Sequence, residues 1–283
     1  MTGTPANGVE LRGRELAAAL REEVAGLVRA AGTAPRLAVV VATADEASLW
    51  YVRSIAKAAA GVGVACDIVD LGAAAPVEGI RATLERLSAD PSVHGVMLQT
   101  PLPEGASAQE LAGAIDPAKD VDGANPLSLG RLAAGLPAFA PATAAAVMAL
   151  LDRHGVELRG ARAVVVGRST VVGKPLAHLL LDRHATVTVC HSRTRDLAAV
   201  TSTAEVLVAA VGRAGLIGAE HVAPGAVVID VGTNPTADGG LTGDVDFAAV
   251  IGRAGALTPV PGGVGPVTTA LLLRHTATAA GLP

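Results

Sequence analysis

Short apolar runs and helix-spaced apolar stripes alternate along the chain. Over residues 14–31, RELAAALREEVAGLVRAA, the spacing of Leu16, Leu20, Val24 and Leu27 predicts a first amphipathic helix. Leu37 to Val41 reads as a strand, and Ser48 to Ala58 as a helix ending near Gly61 and Gly63. A strand over Val64 to Val69 follows, then a helix from Pro76 to Leu87 with the proline at its first position. Val93 to Leu98 is a strand running into Gln99-Thr100-Pro101, and residues 116–132 are turn-rich and read as loop. A helix from Thr143 to Arg153 leads into a second series of strands, Ala163–Val166, Ala185–Val189, Val206–Ala210 and Ala226–Val231, alternating with helices. Ala256 to Val260 then enters the loop Pro261 to Pro266, followed by a last helix from Thr268 to about Ala280. Strands that alternate with helices in this way belong to parallel α/β units.

Composition narrows the class. At 283 residues the chain buries a sizeable core and suits two domains better than one. Hydrophobic residues make up 51% of it and the mean hydropathy is +0.47, high for a soluble protein. The apolar groups are nevertheless broken by Gly, Pro or charge well before the ~20 residues that a membrane span needs. The opening MTGTPANGVELRGREL lacks a basic region followed by an apolar one, so no secretory signal is expected. Two cysteines, Cys66 and Cys190, make no disulfide framework and fit a reducing cytoplasm. A net charge of −4, with one Trp, one Tyr and two Phe, leaves no basic stacking surface for nucleic acid. Trp50 and Tyr51 stand side by side; either a specific task or a local core anchor accounts for that.

Candidate chemistry starts at Ala163 to Pro175, AVVVGRSTVVGKP. A buried strand, a turn bracketed by Gly167 and Gly173, and an apolar helix together make a phosphate site, because the first helical N–H groups and the helix dipole face an anion. The spacing is G-x-S-x-x-x-G rather than G-x-G-x-x-G, so a plain strand-to-helix turn remains an equal reading of this stretch alone. About twenty residues on, where a dinucleotide fold carries its ribose reader, the next strand ends in Cys190-His191-Ser192-Arg193-Thr194. No carboxylate is there for a ribose hydroxyl, whereas Ser192, Arg193 and Arg168 suit a 2′-phosphate. NADP is therefore expected over NAD, against the alternative that these arginines are merely solvated.

SLWYVRSIAKAA, GVMLQTPLPEG, PAKDVDGANPLSLGRL, VVVGRSTVVGKPLA, ATVTVCHSRT, AEVLVAAVGR, PGAVVIDVGTN, GDVDF and TPVPGGVGPVT run in the order seen in the bifunctional methylenetetrahydrofolate dehydrogenase/cyclohydrolases. The chain resembles that family from about residue 8 to 280. The resemblance implies two α/β domains: a folate-side catalytic domain over 1–142 plus 267–283, and a Rossmann-like NADP-binding domain over 143–266, the C-terminal helix returning to the first. It also implies a homodimer, oxidation of 5,10-methylenetetrahydrofolate to the 5,10-methenyl form, and hydrolysis of that to 10-formyltetrahydrofolate.

Residue roles follow from the same resemblance. Tyr51 matches the tyrosine that stacks on the folate, Asp122 the aspartate that holds the pterin's amino and ring nitrogens, and Gln99 the glutamine beside the catalytic lysine. Ser48, Leu98, Thr100 and the loop Pro261-Gly262-Gly263-Val264-Gly265 fall on substrate-side positions. Gly167, Arg168, Ser169, Gly173, Ser192, Arg193, Thr233 and Thr268 fall on cofactor-side positions; no metal site is implied. Asp120 is read as serving its own turn.

The chain departs from the family at one decisive place. The pattern Tyr-Val-x-x-Lys has Ile55 at the lysine position, and by helical spacing Tyr51, Ser54 and Ile55 look into one space. Lys57 and Arg53 lie two residues to either side, roughly 200° around a helix, and cannot substitute. Lesser departures are Thr100, Asn125, Ser128, Thr233 and Pro141-Ala142-Thr143-Ala144. Oxidation needs little proton transfer, whereas hydrolysis needs an activated water and a route for its proton. The expectation is a dehydrogenase with cyclohydrolase activity lost or strongly reduced. The alternatives are a fully bifunctional enzyme, a dehydrogenase or reductase redirected to another folate or a cyclic imine, and a silent folate/NADP-binding paralogue.

Overall fold

The computed structural model describes residues 8–283. The first residues of the expected catalytic domain, and much of the segment read as free of a secretory signal, lie outside the described residues. The chain divides into two compact units, one of residues 18–142 and 269–283, the other containing residues 8–17 and 143–268. A two-residue strand, β1 (Val9–Glu10), opens the described chain. Helix α1 (Arg14–Ala31) follows with the predicted bounds, then β2 (Arg36–Val41), α2 (Glu46–Gly61), β3 (Ala65–Asp70), α3 (Val77–Ala89) and β4 (Gly95–Leu98). Pro76 caps α3 from just outside it rather than occupying its first turn.

Residues 116–132 were expected as loop, but α5 (Pro126–Ala133) starts inside them, after the short α4 (Ala108–Ala112). Asn125 caps α5 and Pro126 takes its first position, a start arrangement that the surrounding Asp and Gly residues obscure. Helix α6 (Ala142–Arg153) leads to β5 (Arg162–Val166), α7 (Gly173–Asp182), β6 (Thr186–Cys190), α8 (Leu197–Thr201), β7 (Val206–Ala209) and β8 (Val227–Asp230). A small antiparallel hairpin of β9 (Asn234–Pro235) and β10 (Leu241–Thr242), then α9 (Phe247–Val250) and β11 (Ala256–Leu257), precede α10 (Val264–Ala279). That last helix begins four residues before the expected start, so Val264 and Gly265 belong to its first turn, where Pro266 loses no intrahelical donor.

In the first unit three parallel strands lie in the order β3-β2-β4. Alternation along β2 builds the two layers. Leu37, Val39 and Val41 join α1, α2 and α10 residues in one cluster, while Ala38, Val40 and Ala42 meet α3 and Ile115 in the other. In the second unit six parallel strands run β1-β11-β8-β7-β5-β6. Residues 8–17 group with this unit, unlike the expected boundary, because β1 pairs with β11, a contact between the two ends of the sequence that no local pattern announces. Among the described residues no helix is long and apolar enough to cross a membrane.

Candidate active site

In the first unit a strand end and a helix start meet. Gln99 donates its N–H to the Val40 carbonyl at 2.9 Å, extending the ladder past β4. Met97 and Gln99 therefore face the α2 layer, whereas Leu98, a substrate-side candidate, packs in the opposite layer. Asp45 caps α2 by accepting from the Ser48 N–H at 2.8 Å, and the Ser48 hydroxyl donates to the Thr100 carbonyl at 3.1 Å. The Gln99 amide nitrogen donates to the same carbonyl. The Gln99 amide oxygen is buried without a hydrogen-bond partner. Such an orphaned acceptor costs roughly 1–3 kcal/mol, so an arriving donor has a place to bind.

Further along α2 lies Tyr51, half-buried, its phenol hydrogen-bonded by the Thr269 side chain and pushed up to about 12 by burial and by the nearby Asp122 charge. It stays a neutral ring with a polar tip across the working pH range. Ile55, one turn on, has 0% of its surface exposed and packs in the cluster of Val39, Met97 and Val121. Tyr51 packs against this same cluster, so the two side chains share one space as expected, with Ile55 forming its enclosed apolar floor. Arg53 and Lys57 are both exposed.

The turn after Lys119 supplies the acids. Asp120 is fully buried and accepts from the Ala124 and Asn125 N–H groups, each at 2.9 Å, which closes the turn as expected. Burial pushes its carboxyl above the ordinary range despite those bonds. Asp122 is half-buried, and among the described residues nothing donates to its carboxylate. Burial first, and the Asp120 charge second, push it up to about 7. Gly123 has φ +67°, and a Cβ there would lie 2.5 Å from the Pro141 nitrogen, so the turn admits only glycine. His275 of α10 hydrogen-bonds the Val121 carbonyl at 2.8 Å and stacks its ring 5.1 Å from Phe139, steadying the turn from its other side.

The second unit holds the dinucleotide candidates. Gly167, at φ +131°, follows β5, and a Cβ on it would sit 2.2 Å from the Ala210 oxygen. A Cβ on Gly173 would lie 2.1 Å from the Gly167 oxygen, so the turn into α7 is as tight as backbone allows. The Ser169 hydroxyl accepts from the Val172 and Gly173 N–H groups at 3.1 and 3.5 Å, and its carbonyl accepts from the Lys174 N–H at 3.0 Å, so Ser169 closes the start of α7. The Gly167 N–H donates to the Cys190 carbonyl at 2.9 Å, which ties this turn to the end of β6. There His191 accepts from Arg193 and pairs with Thr194, leaving Ser192 and Arg193 exposed at the tip; Arg168 is exposed too. The cradle of close-packed glycines and two exposed guanidiniums, with no carboxylate at the end of β6, fit a phosphorylated dinucleotide.

Two further cofactor-side candidates, Thr233 and Thr268, lie apart. Thr233 is exposed between Gly232 and Asn234, while the Thr268 hydroxyl is buried and donates to the Val264 carbonyl at 3.3 Å. Pro261 is exposed and Gly263 and Val264 are buried. Sequence reasoning missed Thr269 and Gly13. A Cβ on Gly13 would lie 2.0 Å from the Gly263 oxygen, and the Gly13 N–H donates to the Gly262 carbonyl at 2.9 Å, so the start of α1 holds the 261–265 loop. A cavity of about 210 Å³ borders that loop, lined by Glu10, Arg12, Arg14, Phe247, Pro261 and Gly262 among others.

Comparison with known proteins places these features in one frame. Residues 11–122 match the catalytic domain, and residues 141–282 the NAD(P)-binding domain, of tetrahydrofolate dehydrogenase/cyclohydrolase. Bifunctional protein FolD 1 of Saccharopolyspora erythraea is 69% identical over 269 residues, covering 94% of this chain and 92% of that protein. The crystal structure of the bifunctional FolD enzyme from Campylobacter jejuni superposes with a TM-score of 0.93 at 38% identity, over 96% of this chain and 98% of that one. The Trypanosoma brucei methylenetetrahydrofolate dehydrogenase-cyclohydrolase, solved with NADP and an inhibitor, gives a TM-score of 0.91 at 38% identity, over 96% and 97% of the two chains.

Proposed function

The chain belongs to the tetrahydrofolate dehydrogenase/cyclohydrolase family, and we propose that it oxidises 5,10-methylenetetrahydrofolate with NADP but hydrolyses the methenyl product slowly or not at all. The observation that carries this reading is Ile55, wholly enclosed in the apolar layer that also faces Gln99, whose amide oxygen has no donor. Loss of a hydride from the methylene bridge leaves a cation shared by two nitrogens, which asks the protein for orientation rather than for proton transfer. The free carboxylate of Asp122 suits the paired donors of an aminopyrimidine edge, and the Tyr51 ring offers a flat apolar face. When bound, NADP supplies the hydride acceptor; Gly167, Arg168, Ser169, Gly173, Ser192 and Arg193 would hold its phosphates and ribose.

Hydrolysis is more demanding. Water must add to the methenyl carbon, lose a proton, and pass one to the departing ring nitrogen. General acid–base help is worth roughly 10²–10⁴-fold, and the buried face of α2, made of Ser48, Val52, Ile55 and Ala59, has no group to give it. Its two cations are on exposed faces. The two unpaired cysteines fit a cytoplasmic setting, and the exposed outer edge of β6 is a surface on which a homodimer would form.

The test supplies methylenetetrahydrofolate with NADP or NAD and follows both reduced nicotinamide and the methenyl product. Methenyltetrahydrofolate should accumulate and decay at its spontaneous rate, and Ile55→Lys should speed its hydrolysis about a hundredfold. Enzymatic hydrolysis keeping pace with oxidation would instead establish a fully bifunctional enzyme, the reading that the names of the relatives favour. No oxidation at all would favour a redirected or silent paralogue.

A further inference from the structure

At the carboxyl edge of the second unit's sheet, two buried carboxylates gather three loops. Asp244, with 0% of its surface exposed, accepts the consecutive N–H groups of Val211, Gly212 and Arg213 at 2.6, 3.0 and 2.8 Å. It also accepts from the Asn234 amide at 3.0 Å. Asp230 accepts from Gly232, from the Asp244 N–H and from Val245, each at 2.9 Å. Three successive N–H groups form a concavity that elsewhere binds an anion; here the chain fills it with its own carboxylate. The packing leaves no slack, since a Cβ on Gly232 would lie 2.4 Å from the Asp244 carboxyl carbon.

We infer that Asp244 is a positioning residue for the dinucleotide: it locks the loops that follow β7 and β8 together and so fixes where Thr233 meets the cofactor. Both neighbours of Thr233 are tied to the acids, Gly232 to Asp230 and Asn234 to Asp244. Thr233 itself stays exposed, with no such tie of its own. Side chains that orient a binding group from behind commonly matter nearly as much as the groups in contact. The inference rests on the reading that this unit binds NADP.

The test uses the full chain, titrated with NADP by calorimetry, alongside steady-state KM values for both substrates. Asp244→Asn keeps the side chain's shape but turns an amide donor toward N–H groups. The NADP dissociation constant should rise about tenfold or more, with the folate KM within about twofold. Asn234→Ala removes one donor, keeps the carboxylate, and should give a smaller rise in the same direction. Adding Thr233→Gly to Asp244→Asn should weaken NADP binding less than Thr233→Gly does alone, because the two act through one contact. A folded Asp244→Asn that binds NADP like the wild type, or that loses NADP and folate affinity equally, overturns the inference. If that variant does not fold, unchanged NADP affinity in Asn234→Ala overturns it. A wild-type chain that binds no NADP defeats the dinucleotide reading and this inference together, and the wild-type titration tells that failure from the others.

Discussion

Each unit carries a pair of acidic residues beside its sheet, and the two pairs are used differently. In the Asp230–Asp244 pair both carboxylates are saturated, one by three N–H groups and the other by three N–H groups and an amide. In the Asp120–Asp122 pair only Asp120 is engaged, by the N–H groups of its own turn. Asp122 keeps its acceptor capacity unspent while its partner's charge and burial push its carboxyl up to about 7. Burial alone therefore does not mark an acid as functional. A saturated acid is architecture; a desolvated one with free lone pairs is held ready for a ligand, at the expense of stability.

The largest effect that would break this contrast is steric. A Cβ on Gly243 would lie 1.8 Å from Oδ2 of the Asp230 carboxylate, whose two oxygens together accept three N–H groups. Gly243→Ala should cost about 3 kcal/mol in chemical denaturation. Asp230→Asn comes next: it leaves N–H groups facing an amide and should cost about 2 kcal/mol. Asp122→Asn should do the reverse. At neutral pH it should be no less stable than wild type, because an amide replaces a desolvated charge, while kcat/KM for the folate falls about a hundredfold as charge-assisted bonds are lost. A destabilised Asp122→Asn, or an Asp230→Asn as stable as wild type, would erase the distinction.

Much of this was legible from local pattern. The strand, glycine turn and helix at 162–182, the chain's first long helix, and the role of Asp120 in its own turn all follow from periodicity and turn chemistry within a few residues. Helix α5 was hidden by Asp, Gly and Pro residues that usually mean loop, although Asn125-Pro126 is itself a helix start. The early start of α10 was hidden in the same way, by glycines and a proline that its first turn tolerates. Neither Gly13 nor Asp244 could be found in the sequence, because what constrains each lies far away: the Gly263 oxygen for one, the N–H groups of residues 211–213 for the other. Ile55 shows the opposite case. Its identity was readable as a departure and its spacing placed it in one space with Tyr51, but spacing did not reveal how completely its neighbours enclose it.

The smallest effect is also the most diagnostic, because one group should drive two pH trends in opposite directions. Asp122, at about 7, and Asp230, at about 6, both hold their protons more tightly folded than unfolded, where a carboxyl titrates near 4. Their contribution to stability is complete below that ordinary value and is lost as pH rises through 6 and 7, at no more than about 1.4 kcal/mol per pH unit for each group. Binding runs the other way, since paired donors need the carboxylate: the folate KM should fall as pH rises through about 7 and level off above it. Exposed acids such as Asp45 and Asp90, which are held below the ordinary range by serine hydrogen bonds, oppose the stability trend. The informative quantity is therefore the difference between wild type and Asp122→Asn, in urea unfolding and in KM, across pH 5 to 8. Asp122→Asn should flatten both curves, the folate KM losing its step near 7 and the stability its decline above 6. A KM step that persists without Asp122 would assign the titration to another group and remove this acid from the ligand's side of the comparison.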